Sequence, residues 1–243
     1  VSRIPLVSVV VPVWRDADAL QLLLADLARE RSHQVQIIVV IAGVEAEAYD
    51  GLRAAYPWVV WTEGTRGRAR QMNEGAARAG GAWLWFLHAD SRLPVTWIEA
   101  FVTAHPGAAR WGHFRFALDS PDAAARRLER LVAWRVRWLH LPYGDQGIFV
   151  RREVFEQIRG YQELPLMEDV DLVRRLWAVG RPLSVNLPLW TSARRWERDG
   201  WWRRSASNVA LLALFFAGVS PARLAPWYER PAGMRNPRGH PSC

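Results

Sequence analysis

Trp83-Leu-Trp-Phe-Leu-His-Ala-Asp90-Ser-Arg-Leu-Pro94 is an apolar run of strand length that ends abruptly in a histidine and an aspartate. That is the pattern of a buried strand delivering polar groups to the carboxyl end of a sheet, where open α/β folds place their ligands. His88, Ala89 and Asp90 fall one acid short of a carboxylate pair, yet Asp90 alone can hold a divalent cation against a diphosphate. The same residues also suit a capped turn ahead of Pro94, and the segment by itself leaves both readings open.

Upstream, Leu6 to Val13 is rich in valine and reads as a central parallel strand, with Pro12 expected at or just beyond its end because proline cannot pair in mid-sheet. A helix follows from Ala17 to Arg29, with Asp16 or Asp18 as cap and Leu20, Leu23, Leu24 and Leu27 as its buried face. Val35 to Ile41 is a second strand, terminated by Ala42-Gly43. Glu45 to Ala55 supplies a crossover helix and Trp58 to Thr62 a third strand. Strands and helices alternating at this spacing indicate βαβ units and a mostly parallel sheet. Gly64 to Asn73 opens the next helix, capped by Thr65 or Gly67 and stopped at Gly80-Gly81. Its spacing predicts Arg66, Arg70 and Asn73 on one face. Arginines and free N–H groups at a helix start suit a diphosphate, and equally suit a solvated basic face.

Downstream, Pro94 to Ala104 reads as a short helix leading through Pro106-Gly107, and Ala109 to Leu118 as a strand. Pro121 to Trp138 is an arginine-rich amphipathic helix whose less polar face is read as Leu128, Leu131, Val132, Arg135 and Trp138. Tyr143-Gly-Asp-Gln-Gly147 is a glycine-bounded polar loop before the strand Ile148 to Val150, with a brief helix after it from Arg152 to Ile158. Pro165 enters a helix that stops at Gly180, with Asp169 on the inward side of its first turn, where it can cap the helix or project into a pocket as a base. Pro182 to Pro188 is a last strand, and Thr191 to Arg198 a basic, aromatic junction. Gly200 to Val219 is helical and becomes apolar on nearly all sides; the Pro-, Gly- and Arg-rich stretch from Arg230 reads as a loose tail.

The 243 residues, 50% hydrophobic, can bury one sizeable core. The basic side of the +8 formal charge is entirely arginine, 32 against 24 acids. Such a field suits a nucleotide diphosphate, an anionic membrane surface or nucleic acid, and composition does not separate them. The single cysteine, Cys243, excludes an intrachain disulfide framework and a cysteine-rich metal site. No basic, apolar leader precedes the first strand, so a cytoplasmic location is the expectation. Val209 to Val219, 11 residues, is far short of the roughly 20 a membrane span needs, leaving a buried or an interfacial helix.

Taken in order, Val9-Val-Val-Pro-Val13, Gly67-Arg-Ala-Arg-Gln-Met-Asn73, Phe86-Leu-His-Ala-Asp90, Gly144-Asp-Gln-Gly147, Leu166-Met-Glu-Asp-Val-Asp171 and Ser192-Ala-Arg-Arg-Trp196 resemble the motifs of family 2 glycosyltransferases of the nucleotide-diphospho-sugar GT-A type. Within that family the chain looks most like the bacterial branch often encoded beside radical-SAM proteins and named for a role in arsenosugar biosynthesis. The likeness extends over about residues 4 to 228. It implies a GT-A fold, a mostly parallel mixed sheet flanked by helices, over residues 1–198, a helical extension over 199–229 and the tail over 230–243. It also implies an inverting transfer from a nucleotide-diphosphate sugar to a hydroxyl acceptor, dependent on Mg²⁺ or Mn²⁺.

Position by position, the resemblance sets Pro12 and Val13 beside the base, and Arg66, Arg68 and Asn73 on the nucleotide or diphosphate. Asp90 takes the metal-binding place in a degenerate DxD motif. His88 stands where that motif usually begins with aspartate, and its role is open. Asp169, with Glu168 before it, corresponds to the catalytic base. Gly144, Asp145 and Gln146 fall on the acceptor side, and Arg194, Arg195 and Trp196 resemble a late arginine–tryptophan motif near the diphosphate. One departure stands out: Ile41 occupies the place of an aspartate that usually contacts the base or ribose, and it cannot accept those hydrogen bonds.

Two functions are therefore weighed. The first is a metal-dependent glycosyltransferase acting on an unknown small-molecule or lipid-linked acceptor. The second, motivated by Ile41 and His88, is a non-catalytic nucleotide- or partner-binding protein on the same fold. Nucleic acid is not an expected partner, since only charge speaks for it; a peripheral membrane surface or a homo-oligomer would account for the apolar C-terminal helix.

Overall fold

The computed structural model describes residues 6–30, 32–43, 46–103 and 109–229. Val44, Glu45, Ala104, Pro106-Gly107, Cys243 and the stretch read as a tail from Arg230 lie outside them. The chain divides into two compact units, one of residues 1–163 and 168–192, the other of 164–167 and 193–243.

The first unit opens with β1 (Val7–Val13), α1 (Ala17–Arg29), β2 (Val35–Ala42), a 3-10 turn (Ala46–Tyr49), α2 (Asp50–Ala55), β3 (Val60–Gly64), α3 (Arg68–Ala77) and β4 (Trp83–Phe86). β1 is parallel to β2 and β4, and β2 to β3, as the alternation of apolar strands and amphipathic helices predicts. Then follow β5 (Ser91–Arg92), α4 (Trp97–Thr103), β6 (Trp111–Asp119), α5 (Ala123–Leu139), a 3-10 turn (Gly144–Gln146), β7 (Phe149–Arg151), α6 (Arg152–Gln157), α7 (Glu168–Trp177) and β8 (Leu183–Ser192). The eight strands lie in the order β3-β2-β1-β4-β7-β6-β8-β5. β7 runs antiparallel to both β4 and β6, so the sheet changes character beside β4, the strand that leads into His88 and Asp90.

Side-chain alternation sends Val9, Val11, Val13, Ile37, Val39, Ile41 and Trp85 to one face, against Leu20, Leu23, Leu24 and Leu27 of α1 and Trp97 and Phe101 of α4. Val10, Ile38, Val40, Leu84 and Phe86 go to the other, against Ala69 and Met72 of α3, Val154 and Phe155 of α6, and Leu172, Val173 and Leu176 of α7. Tryptophan carries much of the first face: the ring of Trp85 lies 4.7 Å from Phe114 and 5.3 Å from Trp97.

Three expectations need correction. Pro12 lies within β1 in register with Val40, with Val13 continuing the strand. β8 extends to Ser192, past Pro188, because a register shift after Phe114 absorbs the irregularity. The inner face of α5 holds Ala125, Leu128 and Val132, whereas Leu131 and Trp138, read from the sequence as members of its less polar side, are exposed.

The second unit contains α8 (Arg194–Asp199), α9 (Trp201–Phe216) and α10 (Pro221–Glu229), the last lying past the Val219 end read for the helix after Gly200. Its apolar cluster is Leu166, Leu211 and Leu224. α9 has only Arg204 and Leu211 fully buried, so a helix buried on all sides is not what forms. No helix among the described residues is long and apolar enough to cross a membrane.

Candidate active site

β4 stops at Phe86, and the backbone turns with the Ser91 N–H donating to the His88 carbonyl at 3.1 Å. What holds this turn is a residue that pattern reading passed over. Asp26 sits among the leucines of α1 with its side chain 1% exposed. It accepts from Arg92 Nε at 2.6 Å, Arg92 Nη2 at 3.1 Å and the Leu93 N–H at 3.1 Å. A fork-to-fork pair of this kind fixes orientation as well as distance. The available signal was a carboxylate on the apolar face of an amphipathic helix.

Opposite, α5 ends at His140, whose left-handed backbone (φ 53°) redirects the chain into the glycine-bounded loop. Arg135 braces this loop: its guanidinium lies 3.5 Å from the centre of the Tyr143 ring, and its Nε donates to the Leu141 carbonyl at 3.1 Å. Gln146 is buried and donates to the Phe114 carbonyl at 3.2 Å, which ties the loop to β6. Gly147 then adopts φ 57°, a conformation that favours glycine.

Gly144 is the meeting point of the site. Its N–H donates to Asp169 Oδ2 at 2.8 Å. A Cβ built on it would lie 3.0 Å from His88 Nε2 and 3.3 Å from Asp169 Oδ2. Glycine is therefore what lets the strand end of β4 and the helix start of α7 close on the loop. Asp169 Oδ1 accepts the N–H of Val170 at 2.8 Å, so both oxygens of the carboxylate are oriented by backbone donors. Beside it, Glu168 is buried and paired with Arg68 Nη1 at 3.0 Å. Burial pushes the Glu168 carboxyl up, against the pull of Arg68.

Asp145 is half-buried, and its Oδ1 is enclosed without a hydrogen-bond partner. Burial raises its pKa from 3.8 to about 7, with Arg135 opposing the rise and the charges of Asp169 and Asp90 adding to it. Three carboxylates thus share one electrostatic neighbourhood, with Arg135 and Arg68 as the cations that act on it.

The other residues singled out from the sequence distribute differently. Val13 offers its carbonyl to Gln71 Nε2 at 3.0 Å, and the same amide donates to the Val40 carbonyl at 2.8 Å, so α3 braces the ends of β1 and β2. Arg66 precedes α3, and its guanidinium lies 3.9 Å over the ring of Trp14, which is 42% exposed just past β1. Arg70 pairs with Glu163 at 2.8 Å. Asn73 gives its amide to the Tyr161 carbonyl at 2.9 Å and accepts the Tyr161 N–H at 2.8 Å. Of the residues predicted to share one face, Arg70 and Asn73 both turn to the segment of Tyr161 and Glu163, whereas Arg66 lies before the first turn of α3 and turns to Trp14. Ile41 is fully buried, in register with Val13 and Glu63, and presents no polar group. Arg195 and Trp196 belong to the second unit, where Arg195 Nη1 donates to the Tyr228 hydroxyl at 2.7 Å.

A mixed sheet flanked by helices, with helices following at the C-terminal end, is the architecture expected from the sequence. The sequence profile described as "Glycosyl transferase family 2" matches residues 8–159, more than half of the chain. The chain belongs to glycosyltransferase family 2. No curated protein matches it. Among solved structures, this family 2 chain is similar to the mannosyltransferase PcManGT from Pyrobaculum calidifontis in complex with GDP-Man and Mn²⁺. That likeness has a TM-score of 0.61 at 15% identity and covers 93% of this chain and 68% of that one. It is also similar to TarS 1–349 of S. aureus, with a TM-score of 0.59 at 10% identity, covering 91% of this chain and 70% of that one. At these identities the likeness is one of fold, and the fold is GT-A: a mixed sheet between helices, with further helices at the C-terminal end.

Among the described residues, no three His, Cys, Asp or Glu side chains converge on a point that could hold a metal ion. Asp90 in a field of neighbouring carboxylates fits a cation that draws most of its shell from phosphate oxygens and water, as Mg²⁺ does; it does not fit a metal caged by protein ligands alone.

Proposed function

We propose that this family 2 glycosyltransferase is an inverting enzyme that moves a sugar from a nucleotide-diphosphate donor to a hydroxyl acceptor, with Asp169 as its base. The observation that carries the reading is the convergence at Gly144, where the Asp169 carboxylate accepts the loop N–H at 2.8 Å. In direct inversion the acceptor oxygen attacks the anomeric carbon as the bond to the diphosphate breaks. The acceptor's proton passes to the base, and the electron pair leaves with the diphosphate. Asp169 keeps a second lone pair on each oxygen beyond those its backbone donors use, so it can be oriented and still take the proton. Asp90 would hold the Mg²⁺ or Mn²⁺, which offsets charge developing on the leaving diphosphate.

Arg68, set in place by Glu168, adds positive charge toward the same leaving group. His88 borders the loop on the donor side; Asp145 and Gln146 line the acceptor side. Pro12 and Val13 border the base, with Arg66 beside them, and Asn73 positions the loop at Tyr161. From the resemblance of their motif alone, Arg195 and Trp196 are proposed as donor-binding residues. A place in the branch named for arsenosugar biosynthesis is proposed on the resemblance of the chain's motifs alone. The acceptor is a small-molecule or lipid-linked hydroxyl.

The test is nucleotide release from a panel of nucleotide sugars with Mn²⁺. Asp169→Asn is expected to lose turnover by about a thousandfold while calorimetry still records donor binding. Asp90→Ala is expected to lose the metal-dependent part of that binding. Turnover of Asp169→Asn at the parent's rate would overturn the assignment of the base.

A further inference from the structure

α5 is apolar on two opposite sides. Leu128 and Val132 face inward, while Leu131, Trp134 and Trp138, spaced three and four apart, are 53%, 59% and 62% exposed. Arg127 lies on the same outer stripe and Arg130 and Arg137 flank it, all exposed. Glu129, the one acid in the helix, is turned away from them. It accepts the Leu118 N–H at 2.7 Å and pairs with Arg126 at 2.8 Å. Arg126 is in turn bonded to the carbonyls of Leu118 and Ser120.

We propose that this outer face of α5 docks on an anionic phospholipid bilayer. Two indole rings and a leucine on a helix flanked by arginines match the headgroup layer, where tryptophan is amphipathic and arginine stems lie along apolar surface while their heads meet phosphate. The helix lies along such a surface and does not cross it, because no described helix is long and apolar enough to span. Charge decides against a second copy as the occupant. Two such faces brought together about a twofold axis would set arginines against arginines, with no acid of α5 available to answer them. The +8 charge of the chain favours the same anionic surface. Through Arg135, on the inner side, a docked α5 carries Tyr143 and the Gly144–Gln146 loop with it.

The experiment is flotation of the full chain with vesicles of phosphatidylcholine and phosphatidylglycerol, and with phosphatidylcholine alone. Binding is expected to the first and to weaken at high salt. Trp134→Ala/Trp138→Ala is expected to lower the partition coefficient by about tenfold or more, with the melting temperature unchanged because both rings are exposed. Arg130→Glu/Arg137→Glu, which leaves every ring in place, is expected to abolish the preference for the anionic vesicle. Trp202→Ala/Phe216→Ala, which removes exposed rings from α9, is the control and is expected to bind as the parent does.

Equal flotation with both vesicles, no flotation with either, or loss in the α9 variant with the α5 variants intact overturns the proposal. So does a parent that sediments as a dimer and becomes a monomer in Trp134→Ala/Trp138→Ala. Transfer activity does not enter any of these readouts, so the proposal stands or falls apart from the assignment of Asp169.

Discussion

At the scale of single residues, the site depends on one missing Cβ. Gly144→Ala would set a methyl group 3.0 Å from His88 Nε2 and 3.3 Å from Asp169 Oδ2, and the hydrogen bond that orients the carboxylate would lengthen. Steady-state kinetics should show kcat down by about tenfold or more, for a stability loss of only about 1 kcal/mol in denaturant melts. Asp145 makes a prediction of opposite character. Its carboxyl is raised from 3.8 to about 7 in the folded chain, so between those values the folded state holds a proton that the unfolded state has lost. Stability from this group is therefore greatest below the unfolded value and falls as pH rises through the window. With divalent cations chelated, Asp145→Asn should gain on the parent by on the order of 2 kcal/mol between about pH 4 and about pH 8. A pH-independent difference would show that the carboxyl is not strained by burial. The types of these residues were legible in the sequence: an acid after β4, an acid pair opening α7, glycines bounding a loop. The contact among them was not, because residues 88, 144 and 169 are neighbours only once β4, the loop and α7 are assembled.

At the scale of elements, most helix and strand positions followed from apolar periodicity: α1 spans the expected Ala17–Arg29, while β3 lies two residues later than read and the two-residue β5, too short to show a period, was not expected. Faces were less readable than spans. The period alone cannot say which of two apolar stripes on α5 is covered, since Leu128 and Leu131 score alike and only packing against β6 separates them. Asp26 shows the converse: an acid on the covered side of α1, sequestered because Arg92 and the Leu93 N–H come to meet it. Asp26→Ala would leave Arg92 without its bidentate partner and release β5, the two residues that follow Asp90. The expected loss is about 3 kcal/mol in equilibrium unfolding, together with weaker Mn²⁺-dependent activity. A variant as stable as the parent would mean that the pair is dispensable to the turn. Ile41 belongs at this scale too. Its side chain is part of the sheet's packed face, so the position expected to carry an acid contributes to the core and offers no group to a base.

At the scale of the whole molecule, the two units have cores of very different extent. The first packs tryptophan, phenylalanine and aliphatic side chains on both faces of an eight-stranded sheet. The second rests on Leu166, Leu211 and Leu224, with the buried Asp199 carboxylate paired to Arg198 at 2.7 Å. Amides of α9 and α10 should therefore exchange with deuterium well before those of β1, β2 and β4, and equal protection would contradict so small a core. Membership of family 2 was readable from the chain itself, because motif order, strand alternation and a strand ending in His88 and Asp90 are linear properties. So was the excess of arginine, which sets the sign of the field. What the tertiary structure alone decided is which polar groups meet: Asp26 with Arg92, Gly144 between His88 and Asp169, Asn73 with Tyr161, and Trp134 and Trp138 left facing water. These depend on distances between segments far apart in sequence, which local propensity and periodicity do not encode; the balance of burial and hydrogen bonding in the folded chain chooses them.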